Sequence, residues 1–268
     1  MATLTLHKGD CLTVMKDLSA NSIDLIICDL PYGCLSNNGK PKMSEEMKKK
    51  YDRTAEGGYG SGCPWDVKID LAKFWEQAKR ILKNDHCPVI HFCTTKFGYE
   101  LIKSNENWFR YDLVWDKQRG VSFLSANKMP MRSHEMIYVF SKAGSYYNRV
   151  DISGNFKAWN VKRTGQVSVQ YGGAKRNDGA GGENKRCALS VIQNPTSSIR
   201  NGHPTEKPVE LYKWLIQRYC PHGGTVLDPT FGSGNSVFTA HEMGMNAIGI
   251  EKDDKFFEKA EKKLNTIE

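Results

Sequence analysis

The stretch Thr225-Val226-Leu227-Asp228-Pro229-Thr230-Phe231-Gly232-Ser233-Gly234 decides the fold. Thr225–Asp228 reads as a buried strand and Pro229–Gly234 as a tight glycine turn. Asn235–Met243 has helical spacing and stops at Gly244, and Ala247-Ile248-Gly249-Ile250 is a second strand ending at Glu251. Strand, turn, helix and strand in this order build the βαβ unit of a parallel sheet. In nucleotide-binding sheets, glycines let the backbone approach the ligand, and an acid about 20 residues on takes ribose hydroxyls. Gly232 and Glu251 stand in that relation. Val237 occupies the place of a third glycine, and no G-x-x-x-x-G-K-[ST] occurs. The turn therefore suits a nucleoside without phosphates; a glycine turn that only shapes the chain is the alternative.

Upstream, Ile23-Asp24-Leu25-Ile26-Ile27-Cys28 is another buried strand, closed by Asp29-Leu30-Pro31-Tyr32. A carboxylate, a stiff turn and an aromatic ring thus share a strand's C-terminal end, where open α/β sheets bind ligands. An ionised carboxylate only accepts hydrogen bonds, so with a neighbouring carbonyl it offers two acceptors to one amino group. A tyrosine ring offers a stacking face to a planar base. Thr3–His7, Pro88–Cys93, Arg110–Trp115 and Glu135–Phe140 complete seven strands, the last pair joined too closely for a crossover helix and so predicted antiparallel. Helices are predicted at Leu12–Leu18, Asp70–Leu82, Phe97–Lys103, a segment holding Leu211, Leu215 and Ile216, and Asp253–Leu264. The expected fold is a three-layer α/β sandwich around a mostly parallel sheet.

Two segments fall outside this pattern. Residues 33–63 are rich in Gly, Ser, Asn and Lys, including Lys48-Lys49-Lys50, and read as a solvated insertion or as a flap beside Asp29. Ser145–Asn201 interleaves Tyr146, Tyr147, Phe156, Trp159 and Tyr171 with Arg149, Lys157, Lys162, Arg163, Lys175, Arg176, Lys185 and Arg186. Cations for phosphate, rings for stacking and glycines for pliancy suit nucleic acid. An ordinary basic surface is the other reading. Across 268 residues, 38 Lys and Arg exceed 30 Asp and Glu, a net charge of +8 that favours a polyanionic partner. The eight cysteines form no C-x-x-C pair, which argues for reduced, buried thiols and against a zinc site or any other metal centre. No signal peptide and no bilayer-length apolar run is evident, so the expected location is the cytoplasm, with no membrane partner. His91, Trp65 and Trp75 read as packing residues.

These motifs together resemble the DNA amino-methyltransferases that use S-adenosylmethionine. Asp29-Leu30-Pro31-Tyr32 matches their D-P-P-Y motif at three of four positions, and Asp228–Gly234 matches their cofactor motif. His203-Pro204-Thr205-Glu206-Lys207-Pro208 is similar to their H-P-T-Q-K-P segment, Gly9-Asp10-Cys11 to their G-D-C opening, and Arg132-Ser133-His134-Glu135 to their R-x-H-E segment. The motif order, catalytic first and cofactor last, is that of the β group. The resemblance implies a circularly permuted, Rossmann-like seven-stranded methyltransferase sheet, with residues 1–144 as the catalytic half, 145–201 as the target-recognition insertion and 202–268 as the cofactor half. It implies that Asp228, Phe231, Gly232, Ser233, Gly234 and Glu251 hold the nucleoside of S-adenosylmethionine. Asp10 and Cys11 then take its adenine edge, while His203, Thr205, Lys207, Pro208 and Asp29 border its methionine end. Asp29, Leu30, Pro31 and Tyr32 become the catalytic clamp on the exocyclic amine of a base flipped from double-stranded DNA. Asp at the motif's first position favours adenine N6. Cytosine N4 methylation, RNA methylation and a decayed DNA-binding scaffold are the alternatives. The resemblance also allows a homodimer and a cognate restriction endonuclease.

Overall fold

The computed structural model describes residues 2–33, 67–121, 123, 126–155, 157–161, 167–168, 174–175, 179–181, 183–194 and 206–266. The expected flap lies outside the described residues except for Gly33, as do Trp65, Tyr171, Lys162, Arg163, Arg176, His203 and Thr205. The chain divides into two compact units, Met1–Tyr147 with Val191–Glu268, and Asn148–Ser190.

The larger unit is built on one sheet. Its strands are β1 (Leu4–Lys8), β2 (Leu25–Cys28), β3 (Val89–Cys93), β4 (Phe109–Val121), β5 (Arg132–Phe140), β12 (Val191–Gln193), β13 (Thr225–Asp228) and β14 (Asn246–Glu251). Their order is β1-β14-β13-β2-β3-β5-β4-β12. The seven expected strands are all present, and short β12 adds an eighth, parallel to β4. Only β5 runs against its neighbours, pairing antiparallel with both β3 and β4. The β4–β5 pairing reaches Val121 and Arg132, so the two strands run past their predicted ends at Trp115 and Glu135.

Side chains on β2 alternate between two cores, as period-2 geometry requires. Leu25 and Ile27 face helices α4 (Val209–Tyr219), α5 (Asn235–Glu242) and α6 (Asp254–Leu264). Ile26 and Cys28 face α1 (Cys11–Asp17), α2 (Leu71–Ile81) and α3 (Thr95–Ser104). Both faces of the sheet are covered, which is why β2 is an unbroken apolar run and every residue of β3, His91 included, is buried. Helix ends follow capping chemistry. Asp70 and Asp253 lie just outside their helices, each accepting backbone N–H groups of the first turn. Arg80 of α2 donates to the carbonyls of Met15, Lys16 and Leu18, satisfying the C-terminal turn of α1. Helix α4 ends at Tyr219, with Cys220 as its cap and Pro221 next.

Sheet topology positions the site. From β13 the chain crosses through α5 to β14 on one side, while β2 lies on the other. The crevice outside the carboxyl ends of β13 and β2 is therefore a topological switch point, where such sheets take ligands.

Among its described residues the Asn148–Ser190 unit holds six short strands: β6 (Ile152–Ser153), β7 (Trp159–Val161), β8 (Val167–Ser168), β9 (Ala174–Lys175), β10 (Gly179–Gly181) and β11 (Lys185–Arg186). They pair antiparallel as β6–β11, β7–β10 and β8–β9, a nested succession in which the chain runs out and returns. No side chain described in this unit is buried.

Candidate active site

Asp228 and Asp29 stand at the ends of adjacent parallel strands, β13 and β2. Thr230 fastens the two ends together. Its backbone N–H donates to Asp228 Oδ1 at 2.9 Å, and its hydroxyl donates to the Asp29 carbonyl at 3.3 Å. Ser236, one residue into α5, donates to Asp228 Oδ2. Asp228 is buried, and burial pushes its carboxyl up to about 7, against the pull of the Ser236 and Thr230 bonds. It is thus a structural anchor beneath the turn.

The turn itself uses left-handed backbone at Gly232 (φ 54°) and Gly234 (φ 81°). A Cβ on Gly234 would stand 2.7 Å from the Phe238 ring, so only glycine fits there. Phe231 is buried, packs against Phe257 and lies over Gly249 of β14. Ser233 is half-buried between the two glycines. Glu251 ends β14. Its Oε2 accepts the Gly232 N–H at 2.9 Å and its Oε1 accepts the Asp253 N–H at 2.8 Å. Both oxygens are oriented by backbone, and the carboxylate remains an acceptor for a hydroxyl. Burial raises the Glu251 carboxyl above its ordinary value despite these bonds.

Asp10 and Cys11 lie beside Glu251 because β1 pairs with β14, Lys8 opposite Glu251. Asp10 caps α1 through the Leu12 N–H and meets Lys252 at 3.3 Å. The described residues thus bring Asp10, Cys11, Phe231, Gly232, Ser233, Gly234 and Glu251 to one edge. A carboxylate with free lone pairs, an apolar ring and bare glycine backbone, with no cation on the turn, fit a nucleoside.

The second cluster forms around Asp29. Leu30 is buried, 1% exposed, and packs into the core shared with α2 and α3. Pro31 and Tyr32 are half-buried. Tyr32 lies at 5.1 Å from the Phe97 ring, and its hydroxyl donates to Asp29 Oδ1 at 2.5 Å. Burial, then the Asp29 and Glu135 carboxylates, hold the Tyr32 phenol well above the ordinary tyrosine range, so it remains a donor. Asp29 Oδ2 accepts from Lys207 Nζ at 2.5 Å. Lys207 is buried; burial opposes its charge, but Asp29 and Glu135 outweigh that and hold it above the usual lysine range. Asn235 at the start of α5 donates to Glu206 Oε1 at 2.7 Å and to the Lys207 carbonyl at 3.0 Å, fixing this segment ahead of Pro208, the cap of α4.

Lys207 and Asp29, both expected at the cofactor's methionine end, are brought together as an ion pair, and Asp29 is also the carboxylate of the catalytic motif. Thr230, Asn235 and Glu135 received no role from the sequence. Glu135 had a signal, since it heads the inward alternation Glu135-Ile137-Val139 as a charge on an apolar face. Of the basic residues, Arg149 pairs with Asp151 at 2.9 Å, and Arg186 donates to the Lys157 and Lys185 carbonyls within the smaller unit. For Lys175 only the backbone, in β9, is described.

A family model described as DNA methylase, for N6 and N4 methyltransferases, matches residues 23–262. The Type II methyltransferase M.HinfI of Haemophilus influenzae is 27% identical over 98% of this chain and 68% of its own length. Among solved structures, the cytosine-N4-specific PvuII DNA methyltransferase is 12% identical, covers 97% of this chain and 86% of its own, and superposes with a TM-score of 0.63. The M1.HpyAVI–SAM complex is 18% identical, covers 98% of this chain and 100% of its own, and gives 0.56. At these identities the likeness to the solved structures is one of fold.

Proposed function

Because the chain belongs to the DNA methylase family of N6 and N4 amino-methyltransferases, we propose that it methylates the exocyclic N6 amine of an adenine flipped out of a specific double-stranded DNA sequence. The methyl donor is S-adenosylmethionine. The single observation that carries the reading is the Thr230 hydroxyl on the Asp29 carbonyl at 3.3 Å, because it joins the amine clamp to the cofactor turn.

Bound S-adenosylmethionine would supply an electrophilic methyl carbon on a sulfonium, with sulfur keeping the electron pair of the carbon–sulfur bond as the amine takes the methyl group. Glu251 takes the ribose hydroxyls, Phe231–Gly234 border the nucleoside, and Asp10 with the Cys11 backbone takes the adenine edge. Asp29 and the Leu30 carbonyl accept the two N–H bonds of the target amine. Those bonds draw the nitrogen lone pair out of ring conjugation and aim it at the methyl carbon. Asp29 then receives the proton that the methylated nitrogen sheds. Tyr32 leaves Asp29 Oδ1 and stacks on the flipped base, worth roughly 1–3 kcal/mol by analogy with other base–aromatic stacks. Residues 145–201, with Arg149, Lys157, Lys162, Arg163, Lys175, Arg176, Lys185 and Arg186, serve target recognition. A cognate restriction endonuclease, a homodimer and a cytoplasmic location belong to the same reading.

The test is transfer of a tritiated methyl group to duplex DNA followed by nucleoside digestion. The expected product is N6-methyladenine. N4-methylcytosine would overturn the choice of base, and binding of cofactor without any transfer would leave a DNA-binding scaffold. Asp29→Ala is expected to lower kcat by about a hundredfold or more while cofactor still binds.

A further inference from the structure

Four charged side chains stand in series behind the amine clamp. Lys207 Nζ is 2.5 Å from Asp29 Oδ2 and 3.7 Å from Glu135 Oε2. Glu135 Oε2 is in turn 3.4 Å from Lys117 Nζ. Signs alternate along the row, and the charges cancel. The ammonium of Lys207 also lies 5.2 Å from the Phe92 ring centre, on the apolar face of the sheet, and that of Lys117 lies 4.9 Å from Trp115. The four residues come from the end of β2, the segment before α4, and strands β5 and β4, so nothing local brings them together.

Burying such a row contributes little to stability, because desolvation offsets most of the attraction and apolar residues of similar volume do as well. The geometry points to a purpose at Asp29. Its carboxylate has two oxygens, and the target amine needs one. With Lys207 on Oδ2, the carboxylate cannot rotate freely, and Oδ1 is the oxygen that faces Tyr32. A lysine bound to Asp29 alone would compete with the amine for the carboxylate. Glu135 shares the ammonium and limits that competition.

We propose that Lys207 and Glu135 are positioning residues for methyl transfer: Lys207 fixes Asp29 by Oδ2 so that Oδ1 is presented to the amine, and Glu135 acts through Lys207. The assignment rests on the amino-methyltransferase reading. It moves Lys207 from the cofactor to the catalytic carboxylate, and it gives Glu135 a role in the reaction.

The experiment measures kcat with saturating S-adenosylmethionine and duplex DNA, and cofactor Kd by calorimetry, in wild type, K207M, K207R, E135Q and K207M/E135Q. Binding stoichiometry counts the folded fraction of each. For K207M, kcat should fall about a hundredfold while cofactor Kd changes less than about twofold, a loss confined to the transition state. K207R should recover about tenfold of that loss, since a cation is restored on Asp29. E135Q should lower kcat about tenfold, yet add nothing to K207M, as expected when one residue acts through the other. A K207M protein whose Kd rises about tenfold with kcat held would return Lys207 to the cofactor site and overturn the proposal. So would losses in K207M and E135Q that multiply. If K207M does not fold, E135Q in the Lys207 and K207R proteins decides: unchanged kcat in both refutes the role of Glu135. Should wild type transfer no methyl group to DNA, the reading itself fails, a result separable from any variant outcome.

Discussion

Asp228 and His91 show what single buried residues do to the pH response. Burial raises the Asp228 carboxyl from its ordinary 3.8 to about 7. Between about pH 4 and 7 the folded chain therefore holds a proton that the unfolded chain releases, and stability falls as pH rises through that window. His91 is fully buried among Phe74, Trp75 and Phe140, and neither ring nitrogen has a hydrogen-bond partner among the described residues. Burial lowers it from 6.5 to about 3, so its contribution is lost as pH drops below 6.5. The two effects oppose one another between about pH 4 and 6.5, each up to about 1.4 kcal/mol per pH unit. Asp228→Asn should unmask the histidine: relative to wild type, its melting temperature drops as pH is lowered from 6.5 to 4. His91→Phe should do the reverse. Calorimetric scans across that range check both, and a D228N difference that does not vary with pH would remove the buried-proton account. The sequence marked Asp228 as part of a motif and His91 as packing, but a proton balance depends on burial, which only the assembled sheet supplies. Leu30 is similar. It stands where the resembled motif has proline, and its buried side chain ties the turn to the core beside α2 and α3.

At the scale of elements, the β13–turn–α5–β14 unit was legible almost to the residue, because strand, glycine turn and helix each carry a local signal. Helices α2 and α6 were equally plain, with acidic caps and an apolar stripe. Other features had no local signal. The strands of the smaller unit are two or three residues long, too short for any period to show. The extension of β4 and β5 beyond the predicted ends depends on their pairing with each other. The ion pair of Lys207 with Asp29 joins residues far apart in the chain, and only the sheet order brings them together. Tight packing inside the βαβ unit gives a test. A Cβ added at Gly249 would stand 2.6 Å from Phe231 Cδ1 and 3.1 Å from Leu6 Cδ2, so the ring over the turn must shift. Gly249→Ala should cost about 1–3 kcal/mol of stability, read by denaturant titration, and weaken binding of S-adenosylmethionine, read by calorimetry. An unchanged Kd would separate Phe231 from the cofactor.

For the whole molecule, charge is the first consequence. A net +8 was readable at once, and so was its concentration between Ser145 and Asn201. Replacing Arg149, Lys157, Lys185 and Arg186 together by Ala should weaken binding to all duplex sequences alike. The slope of log Kobs against log salt should become shallower by about 0.9 for each phosphate that is no longer neutralised. A slope identical to wild type, measured by fluorescence anisotropy, would remove these cations from the DNA interface. Sheet order carries a second consequence, in the time domain of synthesis. Strands β1 and β2 leave the ribosome first, yet they are not neighbours: β14 and β13, made near the end, lie between them. At about 5–20 residues per second, β2 waits roughly 10–40 s for the strand that covers its edge. Even once β3 has covered its other edge, Leu25-Ile26-Ile27-Cys28 is an apolar strand with one open side, the kind of segment that other nascent chains can pair with. Whatever shelters that early strand must act until β13 has emerged to pair with it.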